Sequence, residues 1–168
     1  MKKQIRKFER PLRPWDRTRL ESEKKIRQDY GLRRKQEIWR AEAILRNFRR
    51  LARELRAEKS KDKENILLGK LQKLGLINTN ANLDDVLGLS IQNILDRRLQ
   101  TIVYKKGLAN SPRQARQFIV HGHIVLDGRR TRFPSTLITK DVEEKIKFHD
   151  KSRMKELKIS GANEAKPA

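Results

Sequence analysis

The chain carries two histidines one residue apart, His121 and His123, and histidine is a common metal ligand. A zinc site needs three or four protein ligands, but the chain has no cysteine and no carboxylate close to this pair before Asp127. Gly122 is instead typical of the end of a helix, where His121 would lie favourably near the negative end of the helix dipole. We therefore expect no metal and no other cofactor at this motif.

Two adjacent carboxylates, Asp84 and Asp85, form the other pair that could do chemistry, as a general acid and base. Neighbouring residues do not share a helix face, however, and an aspartate before an apolar turn is a common N-cap. The chain also lacks a Gly-x-Ser-x-Gly motif, a glycine-rich phosphate loop and a Ser/His/Asp arrangement. The sequence therefore predicts a protein that is not an enzyme.

Charge is the dominant property of the chain. Its 168 residues contain 42 Lys and Arg against 21 Asp and Glu, which gives a formal net charge of +21. Of these, 21 basic and 9 acidic residues lie within residues 1–60. Such an excess attracts polyanions, and nucleic acid is the first candidate. No uncharged stretch approaches the roughly 20 residues that cross a bilayer, so we expect a cytoplasmic protein without a membrane partner.

The N-terminal part is predicted to be a basic arm, residues 1–15, followed by a helical region, residues 16–82. Helices are expected over residues 35–56 and 61–74, with the last burying Ile66, Leu67, Leu71 and Leu74, and residues 75–82 form a polar hinge. Residues 16–29 are either a solvated helix or a segment that becomes ordered only on a partner. The central helix has one apolar face, formed by Ile38, Ala41, Leu45, Phe48, Ala52 and Leu55. Trp39 either packs under the arm or stacks on a base.

A second stripe of the central helix is basic. It contains Arg46, Arg49, Arg50, Arg53 and Arg56. Mutual repulsion would weaken this helix alone, and the planar fork of arginine suits phosphate, so these side chains are predicted to contact phosphates rather than to form a solvated face.

The C-terminal module, residues 83–150, is predicted to begin with a helix that Ser90 caps and that continues to Gly107. Its basic side carries Arg97, Arg98, Thr101 and Lys105. Ser111 and Pro112 predict the start of a second helix. The N-terminal end of that helix, which attracts phosphate, presents Arg113, Gln114, Arg116 and Gln117.

The rest of the module reads as a hairpin and short strands. Residues 124–126 form an apolar strand, Asp127 and Gly128 a hairpin turn, and residues 129–132 a basic return strand that includes Arg129 and Arg130. Residues 137–138 and 145–148 are further strands. The predicted fold class is α+β: a basic extended arm and helical region, then a small domain of two helices, a hairpin and short antiparallel strands, and a basic tail, residues 151–168.

Residues 95–129 resemble the signature of the S-four family of small-subunit ribosomal proteins, and the runs Val-His-Gly-His at residues 120–123 and Asp-Gly-Arg-Arg at residues 127–130 are similar to its archaeal members. Residues 30–42, Tyr-Gly-Leu-Arg-Arg-Lys-Gln-Glu-Ile-Trp-Arg-Ala-Glu, are similar to the N-terminal region of its archaeal and eukaryotic form, and residues 83–89 agree. The resemblance spans residues 14–148 and is nearer to archaeal members. Some relatives bind zinc through an N-terminal cysteine cluster, which this chain does not have.

The resemblance implies an S-four-type RNA-binding domain at residues 83–150 and a primary binder of small-subunit ribosomal RNA (rRNA). Such proteins join early in assembly, lie near the channel through which messenger RNA enters, and influence decoding accuracy. The implied partners are this rRNA, neighbouring small-subunit ribosomal proteins and messenger RNA at that channel. The implied RNA-contacting positions are Arg97, Arg98, Ser111, Arg113, Gln114, Arg116, Gln117, His121 and His123. Lys105, Arg129, Arg130 and the arginines of the central helix complete the candidate set.

Three alternatives remain open from the residues. A free-standing RNA-binding factor could carry the same domain. An RNA-modifying enzyme could use the domain as a targeting arm, although the roughly 80 residues that precede it are few and basic for a catalytic core. A DNA-binding protein could use residues 113–120 as a recognition helix.

Overall fold

The computed structural model describes residues 8–150 and 152, which form two compact units, one ending at Arg97 and the other beginning at Arg98. Residues 1–7 of the predicted arm, and the predicted tail apart from Ser152, lie outside the described residues. Residues 8–15 contain no regular helix or strand. The described residues combine helices with a small antiparallel sheet, so the predicted α+β class is confirmed.

The first unit is helical and is organised around one long helix. Its elements are α1 (Arg17–Asp29), α2 (Lys35–Glu58), α3 (Lys61–Lys73), α4 (Leu83–Gly88) and α5 (Ile91–Asp96). The six apolar residues predicted to form one face of α2 are all buried, which confirms the helical period. Helices α1, α3, α4 and α5 all contact α2. This face therefore provides the centre of the unit's core.

Helix α3 differs from the prediction in the side that it buries. Leu67 and Leu71 are buried as expected, but Ile66 is 73% exposed. Each residue turns a helix by about 100°, so Ile66 points well away from the direction that Leu67 and Leu71 share. The apolar side of α3 is narrower than predicted.

The two adjacent aspartates at the start of α4 have separate structural roles. Asp85 accepts a hydrogen bond from the backbone N–H of Asn82 at 2.8 Å, while the carboxylate of Asp84 pairs with Arg56. The expectation that an aspartate of this pair is the N-cap was therefore wrong, because Asn82 occupies that position and Asp85 lies one turn later. The side chains of the pair do not act together.

We expect Asp85→Ala to lower the free energy of unfolding by about 1 kcal/mol, since it leaves a backbone N–H of the helix start without its acceptor. Asp84→Ala should lower it by less than about 0.5 kcal/mol, because its ion pair with Arg56 is exposed. Urea unfolding of the two variants beside the unmodified chain measures both. Equal losses would contradict the different roles of the two carboxylates.

The second unit contains α6 (Leu99–Lys105), α7 (Pro112–Val120), β1 (Ile124–Leu126), β2 (Arg129–Arg130), α8 (Lys140–Glu143) and β3 (Ile146–Phe148). The strand order is β2-β1-β3 and both pairings are antiparallel. One apolar cluster joins these elements and includes Leu99, Ile102, Val103, Ala115, Ile119, Ile124, Ile138 and Ile146. This core fixes α7 against the sheet and α6.

The predicted continuous helix over residues 90–107 was wrong, since it is interrupted between α5 and α6. Arg98 is extended, with φ −75° and ψ 143°, and it forms an isolated β-bridge with Leu137. The backbone N–H of Leu99 donates to the carbonyl of Thr136 at 2.8 Å. Ser90 occupies the N-cap position of α5, but its hydroxyl donates to Asn93 and makes no cap hydrogen bond to the backbone.

Because of this break, the residues of α4 and α5 belong to the first unit and those of α6 to the second. Helices α4 and α5, which the sequence analysis placed with the C-terminal module, contact α2 in the first unit. Long-range hydrogen bonds from α6 to residues 134–136 explain why periodicity along the chain does not reveal the interruption.

The hairpin forms as predicted, and the segment after it does not. Asp127 and Gly128 have φ of 49° and 79°, as a two-residue type I′ turn requires. The return strand ends at Arg130 rather than at residue 132, and the short helix α8 was not predicted. Residues 137–138 form no regular strand, although Leu137 pairs with Arg98 in an isolated bridge. Strand β3 confirms the predicted strand over residues 145–148.

Candidate RNA-binding site

The N-terminal end of α7 is held by two side-chain hydrogen bonds. The backbone N–H of Gln114 donates to Oγ of Ser111 at 3.2 Å, and Oε1 of Gln114 accepts from the backbone N–H of Asn110 at 2.7 Å. Pro112 lies at the first helical position. This confirms the predicted helix start. It also gives Ser111 and Gln114 a role in shaping the end of the helix that attracts anions.

One face of α7 is buried and another is exposed to solvent. Ala115 and Ile119 are fully buried in the core, whereas Arg113, Gln117 and Val120 are exposed. Because residues three and four positions apart share a helix face, these three form one exposed stripe, the outer face of α7. A cation and an amide on a rigid helix can contact phosphate and ribose groups.

Arg116 borders this outer face but is anchored to the interior. Its Nη1 donates to Oε1 of Gln100 at 3.2 Å, and Nε2 of Gln100 donates to the carbonyl of Pro112 at 2.9 Å. Gln100 is only 1% exposed, so a buried amide orients both the guanidinium and the start of α7. Sequence reasoning assigned Arg116 correctly to this end of the helix but missed Gln100, since nothing in the local pattern distinguishes it from a surface glutamine.

The C-terminal end of α7 brings His121 and His123 beside an arginine. Gly122 has φ 76°, as a glycine after a helix end commonly does. His121 is exposed, and His123 is half-buried with its Nδ1 3.0 Å from Oγ of Ser152. The Nε atom of Arg132 lies 3.7 Å from the point that a Cβ atom on Gly122 would occupy. Arg132 therefore joins this surface, although the predicted site did not include it.

The hairpin adds a second basic group. Arg129 and Arg130 are exposed on β2, and Nη2 of Arg130 lies 3.3 Å from Nδ1 of His149. Phe133 follows and is 71% exposed. Its carbonyl accepts from the hydroxyl of Thr136 at 3.0 Å, so its backbone is held in a turn. An exposed aromatic ring on a fixed turn is suited to base stacking, and sequence reasoning did not single it out.

The candidates on the predicted basic side of the helix over residues 90–107 differ in their exposure. Arg98 is 5% exposed and forms the bridge to Leu137, so it is a structural side chain rather than an exposed contact for RNA. Arg97 is half-buried and Lys105 is exposed. The helix break explains the difference, because it turns residues 97 and 98 away from the helical positions on which the prediction was based.

Three of the five arginines in the basic stripe of α2 form ion pairs with carboxylates among the described residues of this chain. Arg46 pairs with Glu9 and Arg56 with Asp84, while Arg50 pairs with Glu54 at 3.3 Å. Arg53 is exposed, and Arg49 is half-buried and donates to the carbonyl of Leu89 at 2.6 Å. Arg49 therefore ties α2 to the end of α4. The other four arginines remain on the surface as candidates for phosphate contact.

A buried carboxylate connects α1 to α2. Glu23 is 4% exposed and accepts from Nε of Arg19 and from Nε1 of Trp39, both at 2.9 Å. Burial by itself raises the pKa of Glu23, but these hydrogen bonds and the charges of Arg19 and Lys35 outweigh it and lower that pKa below its usual value. The ring of Trp39 also contacts Phe8 at a centroid distance of 5.9 Å, so Trp39 packs beneath residue 8 of the predicted arm.

We expect Glu23→Gln to lower the free energy of unfolding by about 1–2 kcal/mol at pH 7, because it removes a charge that two cations contact. Since the pKa of Glu23 is lowered by folding, its charge stabilises the fold above the unfolded-state pKa near 4.5 and loses this effect as the pH falls through the folded value. The difference in the free energy of unfolding between the unmodified chain and the variant should therefore be constant above about pH 5.5 and shrink below about pH 4.5.

Chemical denaturation at several pH values measures this difference. Burial raises the pKa of the nearby Glu42, so Glu42 favours the folded state more as the pH falls. Because Glu42 is present in both proteins, comparing them removes the part of this effect that comes from burial. A difference that grew on acidification would contradict the assignment.

Within residues 8–150 and 152, no group of three or more His, Cys, Asp or Glu side chains could hold a metal ion. No helix in the same part of the chain has both the length and the apolarity to span a membrane.

Comparison with known proteins defines the family. Small ribosomal subunit protein uS4 of Nanoarchaeum equitans is 48% identical over 154 residues, which cover 88% of this chain and 85% of that protein. The protein of the same name from Ignicoccus hospitalis is 48% identical over 150 residues, covering 88% of this chain and 90% of that protein. The chain belongs to the uS4 family. A third uS4 protein, from Methanosphaerula palustris, is 46% identical over 158 residues.

The S4 domain, the S-four RNA-binding domain expected from the sequence, matches residues 97–143 of this uS4-family chain. It begins at the boundary between the two units and contains α6, α7, the hairpin and α8. The resemblance to the family and to its archaeal members is thus confirmed. The match includes the outer face of α7, both histidines of the candidate site and the two arginines of β2.

Proposed function

We propose that this chain is a structural protein of the small ribosomal subunit that binds small-subunit rRNA in the cytoplasmic ribosome and is not an enzyme. The observation that carries the proposal is its membership of the uS4 family over most of its length, at up to 48% identity. The S4 domain match and the exposed cations on α7 and β2 support RNA as the partner.

The geometry supports recognition of folded RNA by shape and charge. RNA helices offer phosphates and 2′-hydroxyls more readily than base edges, so rigid cationic surfaces are suited to them. The outer face of α7, the pair Arg129 and Arg130, and the α2 arginines place cations on separate elements. Such a protein can neutralise phosphates from RNA helices that meet at a junction, which lowers the free energy of the folded junction.

The finer role is also a proposal. Following the family resemblance, the chain binds early in subunit assembly, lies near the channel through which messenger RNA enters and influences decoding accuracy. Neighbouring small-subunit proteins and messenger RNA are its proposed further partners. The net charge of +21 is consistent with this role, because cations reduce the repulsion between RNA segments that are held close together.

Co-sedimentation tests the function against a free-standing RNA-binding factor. A tagged full-length chain, expressed in its source cells, should remain with purified small subunits through a wash at about 0.5 M salt. A structural protein held by folded RNA in the assembled subunit dissociates too slowly to leave during the wash, although its equilibrium affinity for isolated rRNA falls with salt. A translation factor known to dissociate at that salt serves as the control. Release of the tagged chain together with that factor would contradict the proposal.

A further inference from the structure

A cavity of about 560 Å³ lies within the first unit, between α1, α2 and residues 8–15, here called the strap. This volume is within the range of about 300–1,000 Å³ that is typical of sites for small molecules. The residues that line it are Arg10, Pro11, Pro14, Arg19, Leu20, Glu23, Arg34, Lys35, Gln36 and Trp39. They combine an aromatic and aliphatic interior with several cations.

The strap is attached to the helices at both of its ends. The ring of Phe8 contacts Trp39, and the guanidinium carbon of Arg40 lies 5.6 Å from the centroid of the Phe8 ring. Next to it, Glu9 pairs with Arg46 of α2. At the other end the strap runs directly into α1. Residues 10–14 therefore bridge between two fixed points and leave space beneath them.

The interior of the cavity is preorganised. Nε1 of Trp39 donates to Glu23 at 2.9 Å, so the edge of the indole is fixed by a buried carboxylate. Pro11 and Pro14 contribute rings that have no backbone N–H to satisfy. A planar, mainly apolar group could therefore lie against Trp39 without leaving buried donors unpaired.

The cations of the cavity fall into two pairs. Arg19 and Lys35 contact Glu23, with Nε and Nζ at 2.9 and 3.6 Å from its oxygens. Neither Arg10 nor Arg34 pairs with a carboxylate among the described residues, so both can meet an anion from outside. A fixed aromatic wall with available arginines beside it has the chemistry that binds an unstacked nucleotide.

We propose that this cavity holds one unpaired nucleotide of the small-subunit rRNA, with its base against Trp39 and its phosphate next to Arg10 and Arg34. The proposal rests on the proposed ribosomal function, and it adds a site outside the S4 domain. The phosphate stays at the open side, where the RNA strand continues, and the base fills the interior.

Fluorescence of Trp39 tests the site without rRNA. The chain has two tryptophans, and Trp15 is exposed and does not line the cavity. In the full-length Trp15→Phe protein, Trp39 is the one remaining tryptophan. Titration with the tetraribonucleotide oligo(U) should quench its emission along a saturating curve, because a base stacked on an indole quenches it directly.

Two neighbouring charge reversals give a matched comparison in that background. Arg34→Glu and Arg33→Glu change the net charge equally, and only Arg34 lines the cavity. Arg34→Glu should weaken the saturable quenching about tenfold or more, whereas Arg33→Glu should change it less than about threefold. Arg34→Lys, which keeps the charge, should retain most of the affinity, and thermal unfolding checks that each variant is folded.

Equal affinities for the two charge reversals, or quenching that rises linearly without saturation, would overturn the cavity assignment.

A second experiment uses small-subunit rRNA and chemical reactivity mapping. One unpaired base should be protected from the reagent by the unmodified chain and by the Arg33→Glu variant, and it should stay reactive with the Arg34→Glu variant. If rRNA bound but no base showed this pattern of protection and exposure, the cavity proposal would fail and the ribosomal function would stand. If rRNA did not bind while oligo(U) still quenched Trp39, the ribosomal function would fail and the nucleotide site would stand.

Discussion

Replacing Arg113 and Gln117 by glutamate should weaken binding to small-subunit rRNA about 100-fold, a loss of about 2.7 kcal/mol of binding free energy. Both side chains are exposed on the outer face of α7, so the double variant places two carboxylates where phosphates are expected. Filter binding with an rRNA fragment at a fixed salt concentration measures the change. The free energy of unfolding should stay within about 0.5 kcal/mol, since neither side chain is in the core.

A double variant on α3 is the matched control. Lys61→Glu with Asn65→Glu makes the same change of net charge, with the same spacing of four residues, at two exposed positions near a helix start. We expect its affinity for rRNA to fall less than about fivefold. Equal losses for the two double variants would show that net charge alone governs binding and would contradict the α7 site.

Arg116 is deliberately left unchanged in this experiment. Its hydrogen bond to the buried Gln100 means that Arg116→Glu would set a carboxylate against a buried amide oxygen. Such a variant would lose stability as well as affinity, and its binding defect would not report on RNA contact alone.

Raising the salt concentration should have the second large effect. If about six to ten phosphates are neutralised, the affinity for rRNA should fall about 10³-fold or more between about 50 and 200 mM monovalent salt. The logarithm of the binding constant should fall linearly with the logarithm of the salt concentration. The Arg113→Glu, Gln117→Glu protein should show a slope smaller by about one, because one phosphate contact is lost.

The control for the salt series is the α3 double variant, whose slope should equal that of the unmodified chain. A nearly flat dependence for the unmodified chain would contradict phosphate contacts as the main source of affinity. An equal slope for the α7 variant would mean that Arg113 does not contact a phosphate.

Features of the fold that depend on local pattern could be predicted from the sequence. The apolar period of α2 buries the six expected residues, and Ser111 with Pro112 and Asp127 with Gly128 specify a helix start and a turn within a few residues. The break at Arg98 could not be predicted in this way. It depends on hydrogen bonds to residues 134–137, which are distant along the chain.

The same distinction applies to the candidate site. The position of Arg113 follows from the helix start, so sequence reasoning identified it directly. The interior anchor of Arg116, the burial of Arg98 and the pairing of Arg56 with Asp84 all depend on contacts between separate elements. Charge composition indicates that the chain binds a polyanion, but only the tertiary contacts show which arginines are available.

The carboxylates paired with the α2 arginines act as tethered counterions. When RNA displaces a mobile salt ion, the ion gains the freedom of the solution, but a displaced Glu9 or Asp84 remains attached to the chain and gains little. These arginines should therefore add less to the salt dependence than their number suggests. An isolated phosphate competes poorly with a partner that is always present, whereas folded RNA brings several phosphates at once. We therefore expect these ion pairs to favour structured RNA over other polyanions.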